Sequence, residues 1–174
     1  MERLLDDGVF VDAPDEEGST ALIYAAGNSK HEAVQVLLAR GADVTIRCRG
    51  VTALYHAARH EALDVVALLR KAGAEIELTE AAMIGDTRTV SMLLDRGADP
   101  NACDHSGDRA LNFAVYYGYT DTVRLLLEAG AKVNVKNSMG ISVLEEAIGG
   151  EHIEVEALLR SVGAIEGWVT VSTS

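Results

Sequence analysis

Residues 125–134, LLLEAGAKVN, decide the fold because they combine the apolar end of a helix with a glycine that stops it. In this stretch Gly130 follows the leucines, and an alternating Val-Asn pair comes after it. Similar stretches recur at Leu4 (LLDDGVFVDA), Leu37 (LLARGADVTI), Leu68 (LLRKAGAEIE), Leu93 (LLDRGADPNA) and Leu158 (LLRSVGAIEG). Their glycines, Gly8, Gly41, Gly73, Gly97, Gly130 and Gly163, lie 33, 32, 24, 33 and 33 residues apart by subtraction. A period near 33 residues indicates an array of structural repeats.

A second phrase precedes most of these stops. It reads DEEGSTALIYAA from Asp15, GVTALYHAA from Gly50, DHSGDRALNFAV from Asp104 and NSMGISVLEEAI from Asn137. Together the phrases resemble the ankyrin repeat, whose pattern runs D-x-x-G-x-T-P-L-H-x-A-A, then G-x-x-x-x-V-x-x-L-L, then G-A-D-x-N. The resemblance covers nearly the whole chain. It implies an all-α repeat solenoid, in which antiparallel helix pairs stack and β-turn fingers connect them, but a fold alone implies no function.

The repeats predict the domain layout. We expect one ankyrin-repeat domain over residues 1–169, with about five repeats and an N-terminal half repeat, followed by a tail at 170–174. The predicted boundaries are 1–14 for the half repeat, then 15–47, 48–77, 78–103, 104–136 and 137–169. The half repeat supplies a second helix without a first. It is either a natural cap or the edge of a fragment from a longer array.

The repeat at 78–103 is shorter than the others. Its interval of 24 residues leaves out nine, which are those of the finger and of the T-P-L helix entry. We expect Leu78 to take the leucine place, with the helix beginning near Glu77 or Thr79. The missing finger predicts a notch in the row of loops or a local change in stacking angle.

The last repeat places polar residues where the others are apolar. Glu156 stands at the position of Val34, Val66, Val90 and Val123, and Arg160 lies near the end of the leucine run. This pattern is typical of a terminal repeat whose outer face meets water. The segment GWVTVSTS that follows is a short strand, a tail over that cap or disorder.

Local signals within a repeat are clear. Thr20 is placed to cap the first helix, and Ala25 and Ala26 allow close helix approach. Val34, Leu37 and Leu38 are expected to form the buried stripe of the second helix. However, no repeat keeps the proline or the histidine of T-P-L-H, so the family's Thr-His hydrogen bonds are absent.

Composition bounds the function. The chain has 174 residues, a formal charge of −12 and 48% hydrophobic residues. The acidic balance argues against nucleic acid and favours a protein partner with a basic patch. Two cysteines in separate repeats predict no disulfide framework, and the sequence has neither a secretory leader nor a long apolar run. We therefore expect a monomer that is cytoplasmic, or nuclear in a eukaryote, is not secreted and has no membrane interaction.

Catalytic and metal signals are weak. His56 and His60 have a spacing that suits zinc, but no third or fourth ligand is evident. No nucleophile-base set and no phosphate loop is recognisable. We predict that the chain is not an enzyme and holds no cofactor or metal.

The resemblance implies a binding surface on the concave face, which is made by fingers and first helices. Tyr116, Tyr117 and Tyr119 flank a turn and are candidate hot spots, alternatively packing against a neighbouring repeat. Residues 44–73 carry five bases and two acids, a net charge of +3. We expect Arg47, Arg49 and Arg59 to recognise an acidic segment or phosphate on a partner, or else to offset neighbouring acids. The candidate partner-binding residues are Tyr116, Tyr117, Tyr119, Met83, Ile84, Arg47, Arg49, Arg59, His60, His105, Asp108 and Met139.

The leading functional interpretation is a non-catalytic module that binds a partner protein through this face. One alternative is a stoichiometric inhibitor or regulatory subunit that occludes an enzyme or toxin. Others are an enzyme or metal protein, and a designed or truncated fragment with no partner.

Overall fold

The computed structural model describes residues 10–165, and within this range the chain forms ten α-helices and no β-strand. The helices fall into two compact units, of which one extends to Ile76 and the other begins at Glu77. Unit 1 contains α1 (Ala21–Gly27), α2 (His31–Ala39), α3 (Ala53–Arg59) and α4 (Leu63–Lys71). Unit 2 contains α5 (Leu78–Met83), α6 (Thr87–Asp95), α7 (Ala110–Tyr116), α8 (Thr120–Glu128), α9 (Val143–Gly149) and α10 (Ile153–Ser161).

Within each unit the helices stack in two layers. In unit 1, α1 pairs with α2 and α3 with α4, while α1 also packs on α3 and α2 on α4. In unit 2, each short helix pairs with the next long one, and the short helices α5, α7 and α9 pack in series. The long helices α6, α8 and α10 form the second series. This is the layered packing of an all-α repeat solenoid, so the predicted fold class is confirmed.

Burial follows the predicted stripes. Val34, Leu37, Val123 and Leu126 are buried in the long helices. Ala25, Ala26, Ala57 and Ala58 are buried in the short helices of unit 1, where small side chains let helices approach closely. Leu38, which was also assigned to the stripe, is half-buried. At the Glu156 position the charged side chain is half-buried and forms an ion pair with Arg160, one turn later.

The short helices begin at side-chain caps. Thr20 Oγ1 accepts from the Ile23 N–H at 3.4 Å, and Thr52 Oγ1 accepts from the Tyr55 N–H at 3.1 Å. The predicted cap at Thr20 is therefore confirmed.

Other side chains occupy the position at which the family carries histidine. Asn112 Oδ1 accepts from the Arg109 N–H at 2.9 Å, and Glu145 Oε2 accepts from the Ser142 N–H at 2.8 Å. Each residue reaches back from the third helical position to the helix start, as in a capping box. Satisfying the first N–H groups in this way offsets the loss of the Thr-His contact.

The glycine stops adopt the left-handed conformation that the pattern predicts. Gly41, Gly73, Gly97, Gly130 and Gly163 have φ between +82° and +98°. No atom lies within 4 Å of a Cβ built on any of them, so backbone conformation rather than crowding requires glycine there. Gly8 and the segment GWVTVSTS lie outside the described residues.

The connectors distinguish the short repeat. Residues 40–52, 96–109 and 129–142 each join two repeats, and each contains one antiparallel β-bridge at a finger. Residues 72–77 provide only six positions between α4 and α5. This short connector lies at the place where the sequence predicts a missing finger. The repeat boundaries themselves, and the notch, remain predictions.

Helix α5 begins as the sequence predicts, with Glu77 at its N-cap and the Glu80 carboxylate accepting from the Glu77 N–H at 2.5 Å. All six of its residues are buried, and Met83 has no exposed surface. The assignment of Met83 to a binding surface is therefore wrong. Since α5 packs against both α6 and α7, its last residue is part of the core.

Candidate protein-binding surfaces

Three tyrosines lie together at the turn between α7 and α8. Tyr116 ends α7, Tyr117 caps it and Tyr119 is the N-cap of α8. The Tyr116 and Tyr117 rings meet edge to face at 4.9 Å between centroids, and the Tyr117 and Tyr119 rings stack at 5.7 Å. The cluster is continuous, as expected for an interface anchor.

The three tyrosine rings differ in how much of their surface is exposed to solvent. A Cβ on Gly85 would lie 3.0 Å from the Tyr119 ring, so this ring packs against the turn after α5. Ile84, beside Gly85, is half-buried, as are Tyr117 and Tyr119. Tyr116 is 56% exposed. Tyr119 therefore covers a neighbouring repeat, as the second interpretation predicts, while a binding role for the accessible Tyr116 remains a prediction.

The backbone beneath Tyr116 is held in place by His152. The His152 Nε2 lies 3.0 Å from the Tyr116 carbonyl oxygen and donates to it. Gly118 lies against the same imidazole, because an added Cβ would approach His152 Nδ1 to 2.6 Å. The turn is consequently fixed before any partner arrives.

Two loop residues extend the accessible area of unit 2. Met139 is 71% exposed, and its N–H donates to Asn137 Oδ1 at 3.0 Å. His105 is exposed, with Nε2 lying 3.0 Å from Ser106 Oγ. Met139 therefore presents apolar surface on a loop whose backbone is hydrogen-bonded.

Asp108 is a structural residue, and its assignment to partner binding is corrected. Its side chain is buried, and its carboxylate accepts from the Ser138 N–H at 2.6 Å and from the Ser138 hydroxyl at 2.9 Å. Both oxygens are used to join adjacent loops, so none is directed at a partner.

Glu146 connects these features electrostatically and was missed by the sequence analysis. Its carboxylate accepts from Asn137 Nδ2 at 3.0 Å, next to the Met139 loop. Burial raises the pKa of Glu146, the nearby Asp108 charge raises it further, and Asn137 and His152 oppose the shift. A basic side chain placed here would relieve the repulsion between the two carboxylates. We call Tyr116, Met139 and Glu146 the Tyr116 surface.

Unit 1 contains a separate cleft of about 310 Å³. Among its lining residues are Tyr24, Arg49, His56 and His60. The Arg49 guanidinium lies 3.1 Å from Glu17 Oε2, and both side chains are largely exposed, so the pair is weak.

Arg47 and Arg59, the other two arginines predicted to bind a partner, do not line this cleft. Arg47 donates from Nη1 to the Gly50 carbonyl at 2.9 Å, which shapes its own finger. Arg59 ends α3 and is exposed, beside the exposed His60. Of the four predicted basic residues, Arg49 and His60 thus line the same cleft, whereas Arg47 binds its own loop and Arg59 adjoins His60 in the chain.

Tyr24 is a surface residue that the sequence analysis missed. It is 50% exposed, and its hydroxyl donates to Asp15 Oδ2 at 2.7 Å. That bond, together with the Ser19 and Glu17 N–H groups, lowers the pKa of Asp15. The feature of the sequence that could have identified Tyr24 is its position, four residues after the N-cap residue Thr20. His56 and Glu146 have the same spacing from Thr52 and Ser142.

The described residues contain neither a metal-binding cluster nor a membrane-spanning helix. Between Phe10 and Ile165, no three His, Cys, Asp or Glu side chains are grouped so as to hold a metal ion. In the same part of the chain, every helix is too short or too polar to span a bilayer.

Known proteins share the repeat pattern. The family model described as ankyrin repeats (3 copies) matches residues 1–80 and again residues 78–166. An ankyrin repeat protein of fowlpox virus is 33% identical over 108 residues, which are 58% of this chain and 77% of that protein. An L-asparaginase of Dirofilaria immitis is 33% identical over 125 residues, 66% of this chain but 21% of that protein.

A third relative has the same limited coverage. The ankyrin repeat, SAM and basic leucine zipper domain-containing protein 1 of Ovis aries is 35% identical over 104 residues. These are 59% of this chain and 18% of the relative. The match thus spans about a fifth of the sheep and nematode proteins. Ankyrin repeats are in general non-catalytic protein-protein interaction modules. Because the two matches to the family model together cover residues 1–166, the chain belongs to the ankyrin repeat family.

Proposed function

We propose that this chain binds a partner protein through the Tyr116 surface and has no catalytic activity of its own. The observation that supports this best is the exposure of Tyr116, 56%, and of Met139, 71%, which are two of the ten large apolar side chains exposed among the described residues. Aromatic and methionine side chains are enriched at interfaces, because aromatic rings bring large area at low entropic cost and methionine adapts its shape to a partner.

The partner's chemistry follows from the charges around this apolar area. Glu146 lies between the tyrosine turn and the Met139 loop, and its repulsion with Asp108 favours an approaching cation. A partner with a lysine or arginine beside an apolar side chain fits best. This is the basic-patch partner that the acidic composition predicted.

Binding uses surface that is already ordered. The His152 bond to Tyr116, the Asn137 bonds to Met139 and Glu146, and the Ser138 bonds to Asp108 fix the backbone before contact. Little conformational entropy is then lost on association. In the ankyrin repeat family, the face corresponding to the Tyr116 surface is concave and is formed by the first helices and the fingers.

The test compares partner capture by wild type and by Tyr116→Ala, with Tyr24→Ala as the matched control. Tyr24 is a similarly exposed tyrosine, but it belongs to unit 1. We expect Tyr116→Ala to weaken binding of the captured partner at least about tenfold, as for an interface hot spot. Circular dichroism should show unchanged folding for both variants. Equal binding by Tyr116→Ala, or equal loss with Tyr24→Ala, would contradict the site.

The charge of unit 2 favours a second candidate function, inhibition of an enzyme or toxin by occlusion. Residues 77–174 carry fifteen acids and seven bases, a net charge of −8, which complements a basic active-site rim. An inhibitor should form a one-to-one complex and abolish the partner's activity, whereas an adaptor should leave that activity intact. A cytoplasmic or nuclear location remains a prediction.

A further inference from the structure

We propose that the outer face of α6 is a second binding site, which takes an acidic amphipathic helix from a partner. A cleft of about 670 Å³ lies beside α6 in unit 2. It is lined by Thr87, Arg88, Ser91, Met92, Asp95, Arg96 and Leu125. We call this the α6 cleft, and it shares no residue with the Tyr116 surface.

The cleft has a regular order of charge and apolar surface. Arg88, Met92 and Arg96 follow one another at four-residue spacing, so Arg88 and Met92 share one face of α6 and Arg96, its C-cap, continues their line. The two arginines are about 12 Å apart along the helix, at 1.5 Å rise per residue. Met92, between them, is 38% exposed, and Leu125 of α8 extends the apolar floor.

Arg88 is unlike its counterparts in the other long helices. The second position of each such helix is Glu32 in α2, Asp64 in α4, Asp121 in α8 and Glu154 in α10. An acid there interacts favourably with the positive end of the helix dipole, and arginine does not. Helix stability therefore gives no reason for Arg88, whereas binding of an anionic group does.

Met92 is unusual in the same comparison. The corresponding residues are Val36, Leu68, Leu125 and Leu158, and all four are half-buried, while Met92 is exposed. Ser91, a small side chain next to it, helps to leave the cleft open. An exposed, adaptable thioether between two cations is suited to contact a partner.

The arginines carry charge that is not used within the described structure. Between residues 10 and 165, neither Arg88 nor Arg96 forms an ion pair, and Asp95 is the one acid that lines the cleft. The lining keeps a net positive charge on a unit whose net charge is −8. The net negative charge of unit 2 attracts basic molecules in general. An acidic ligand would therefore bind at the α6 cleft only because Arg88 and Arg96 make the charge positive there.

These spacings specify the ligand. A helix with carboxylates at positions i and i+8 and leucine at i+4 can pair both acids with the arginines and place leucine on Met92 and Leu125. Arginine suits this role because its planar guanidinium binds a carboxylate through two hydrogen bonds.

The test uses a labelled synthetic peptide of about 20 residues with Glu, Leu and Glu at i, i+4 and i+8, since shorter isolated helices are marginal. A peptide of the same composition with these three residues permuted is its control. Fluorescence anisotropy at two salt concentrations gives the affinity. We expect wild type to bind the designed peptide at least about tenfold more tightly than the permuted one, and more weakly at high salt.

Arg88→Glu is the decisive variant because it places the acid that the other long helices carry, so the fold should be undisturbed. It should lower affinity for the designed peptide at least about tenfold, by replacing an attraction with a repulsion. Arg124→Glu, which reverses the same charge on an exposed residue of α8 outside the cleft, should change affinity less than about twofold. Tyr116→Ala should bind the peptide like wild type, which separates this site from the proposed function.

Three results would overturn the proposal. They are no preference for the designed peptide over the permuted one, an equal loss with Arg124→Glu, or sedimentation showing that α6 instead joins two copies of this chain in a dimer that Arg88→Glu dissociates.

Discussion

The hydroxyl of Tyr24 reaches the carboxylate of Asp15 from within α1 and ties that helix to its own loop. The same carboxylate accepts from the N–H groups of Glu17 and Ser19. Because these bonds favour the ionised form, the pKa of Asp15 is lowered. A single acid thereby organises a finger that lies next to the cleft of unit 1.

Tyr24→Phe should raise the pKa of Asp15 toward its ordinary value, since the Tyr24 hydrogen bond is the largest cause of the shift. The stabilisation from Asp15 is complete above its unfolded pKa and is lost as pH falls through its folded pKa. In the variant that loss should therefore be smaller and should be complete at a higher pH, because the folded pKa lies closer to the unfolded one. NMR titration of the Asp15 carboxyl measures this. Asp43, whose pKa is lowered by Thr45, is the internal control and should not move.

Asp108→Ala should destabilise the protein by about 1–2 kcal/mol, because Ser138 loses two hydrogen bonds that join adjacent loops. Urea denaturation gives the change in free energy of unfolding. His105→Ala, on the exposed part of the same finger, should change it by less than about 0.5 kcal/mol. Equal stability of Asp108→Ala and wild type would show that the carboxylate does not hold the loops together.

At the scale of the helix, each element is defined by how it starts and stops. The starts use Thr20, Thr52 and Ser142, and the stops use left-handed glycines. These signals act within a few residues of chain. For that reason the sequence predicted the repeats, their caps and the glycine stops well.

The sequence predicted less well what depends on packing between helices. Met83 stands at the end of α5, where other repeats expose Arg59 and Tyr116, yet it is completely buried. Asp108 is an exposed type of residue whose partner, Ser138, is 30 residues away. Nothing local distinguishes either residue from a surface residue, so both were assigned wrongly.

Substitutions at two glycines test whether backbone conformation, rather than lack of space, requires glycine at the helix ends. Gly130→Ala should cost about 1–2 kcal/mol, because a left-handed alanine is strained although the space is open. Gly149→Ala should instead stabilise by about 0.5–1 kcal/mol, because Gly149 ends α9 without a positive φ and also has open space. Chemical denaturation of both variants beside wild type measures the difference. Changes of the same sign would contradict this explanation.

At the scale of the chain, charge sets the response to solution conditions. The net charge is −12, and eight of these charges fall in residues 77–174. Self-repulsion opposes the folded state and is screened as the Debye length falls from about 30 Å at 0.01 M salt to about 3 Å at 1 M. The acidic excess is the whole-chain property on which the choice of a basic partner rests.

We therefore expect the melting temperature at pH 7 to rise by a few degrees, about 2–8 °C, when NaCl increases from about 0.01 M to 0.5 M. Near pH 4.7, the isoelectric point, the same increase should have little effect because repulsion is already small. Differential scanning fluorimetry at both pH values measures this. A rise of equal size at pH 4.7 would mean that salt acts through something other than net charge.

The sequence predicted the family and the kind of surface, but it did not predict the partner. A repeat array keeps contacts between neighbours, so periodicity is sufficient for the fold. A binding surface depends on which side chains the packing leaves accessible. Tyr116 and Met139 were predicted from positions on the face that the family uses, whereas Glu146 and the α6 cleft depend on how the helices pack.

The positive φ of the glycine stops has a consequence for the handedness of the chain. Gly130 has a φ of +91°, a conformation that mirror-image residues prefer. A D-alanine incorporated by chemical synthesis would adopt this backbone conformation without strain and would restrict the unfolded chain. Because the same conformation recurs at Gly41, Gly73, Gly97 and Gly163, the protein contains five places where reversed chirality should strengthen the native state.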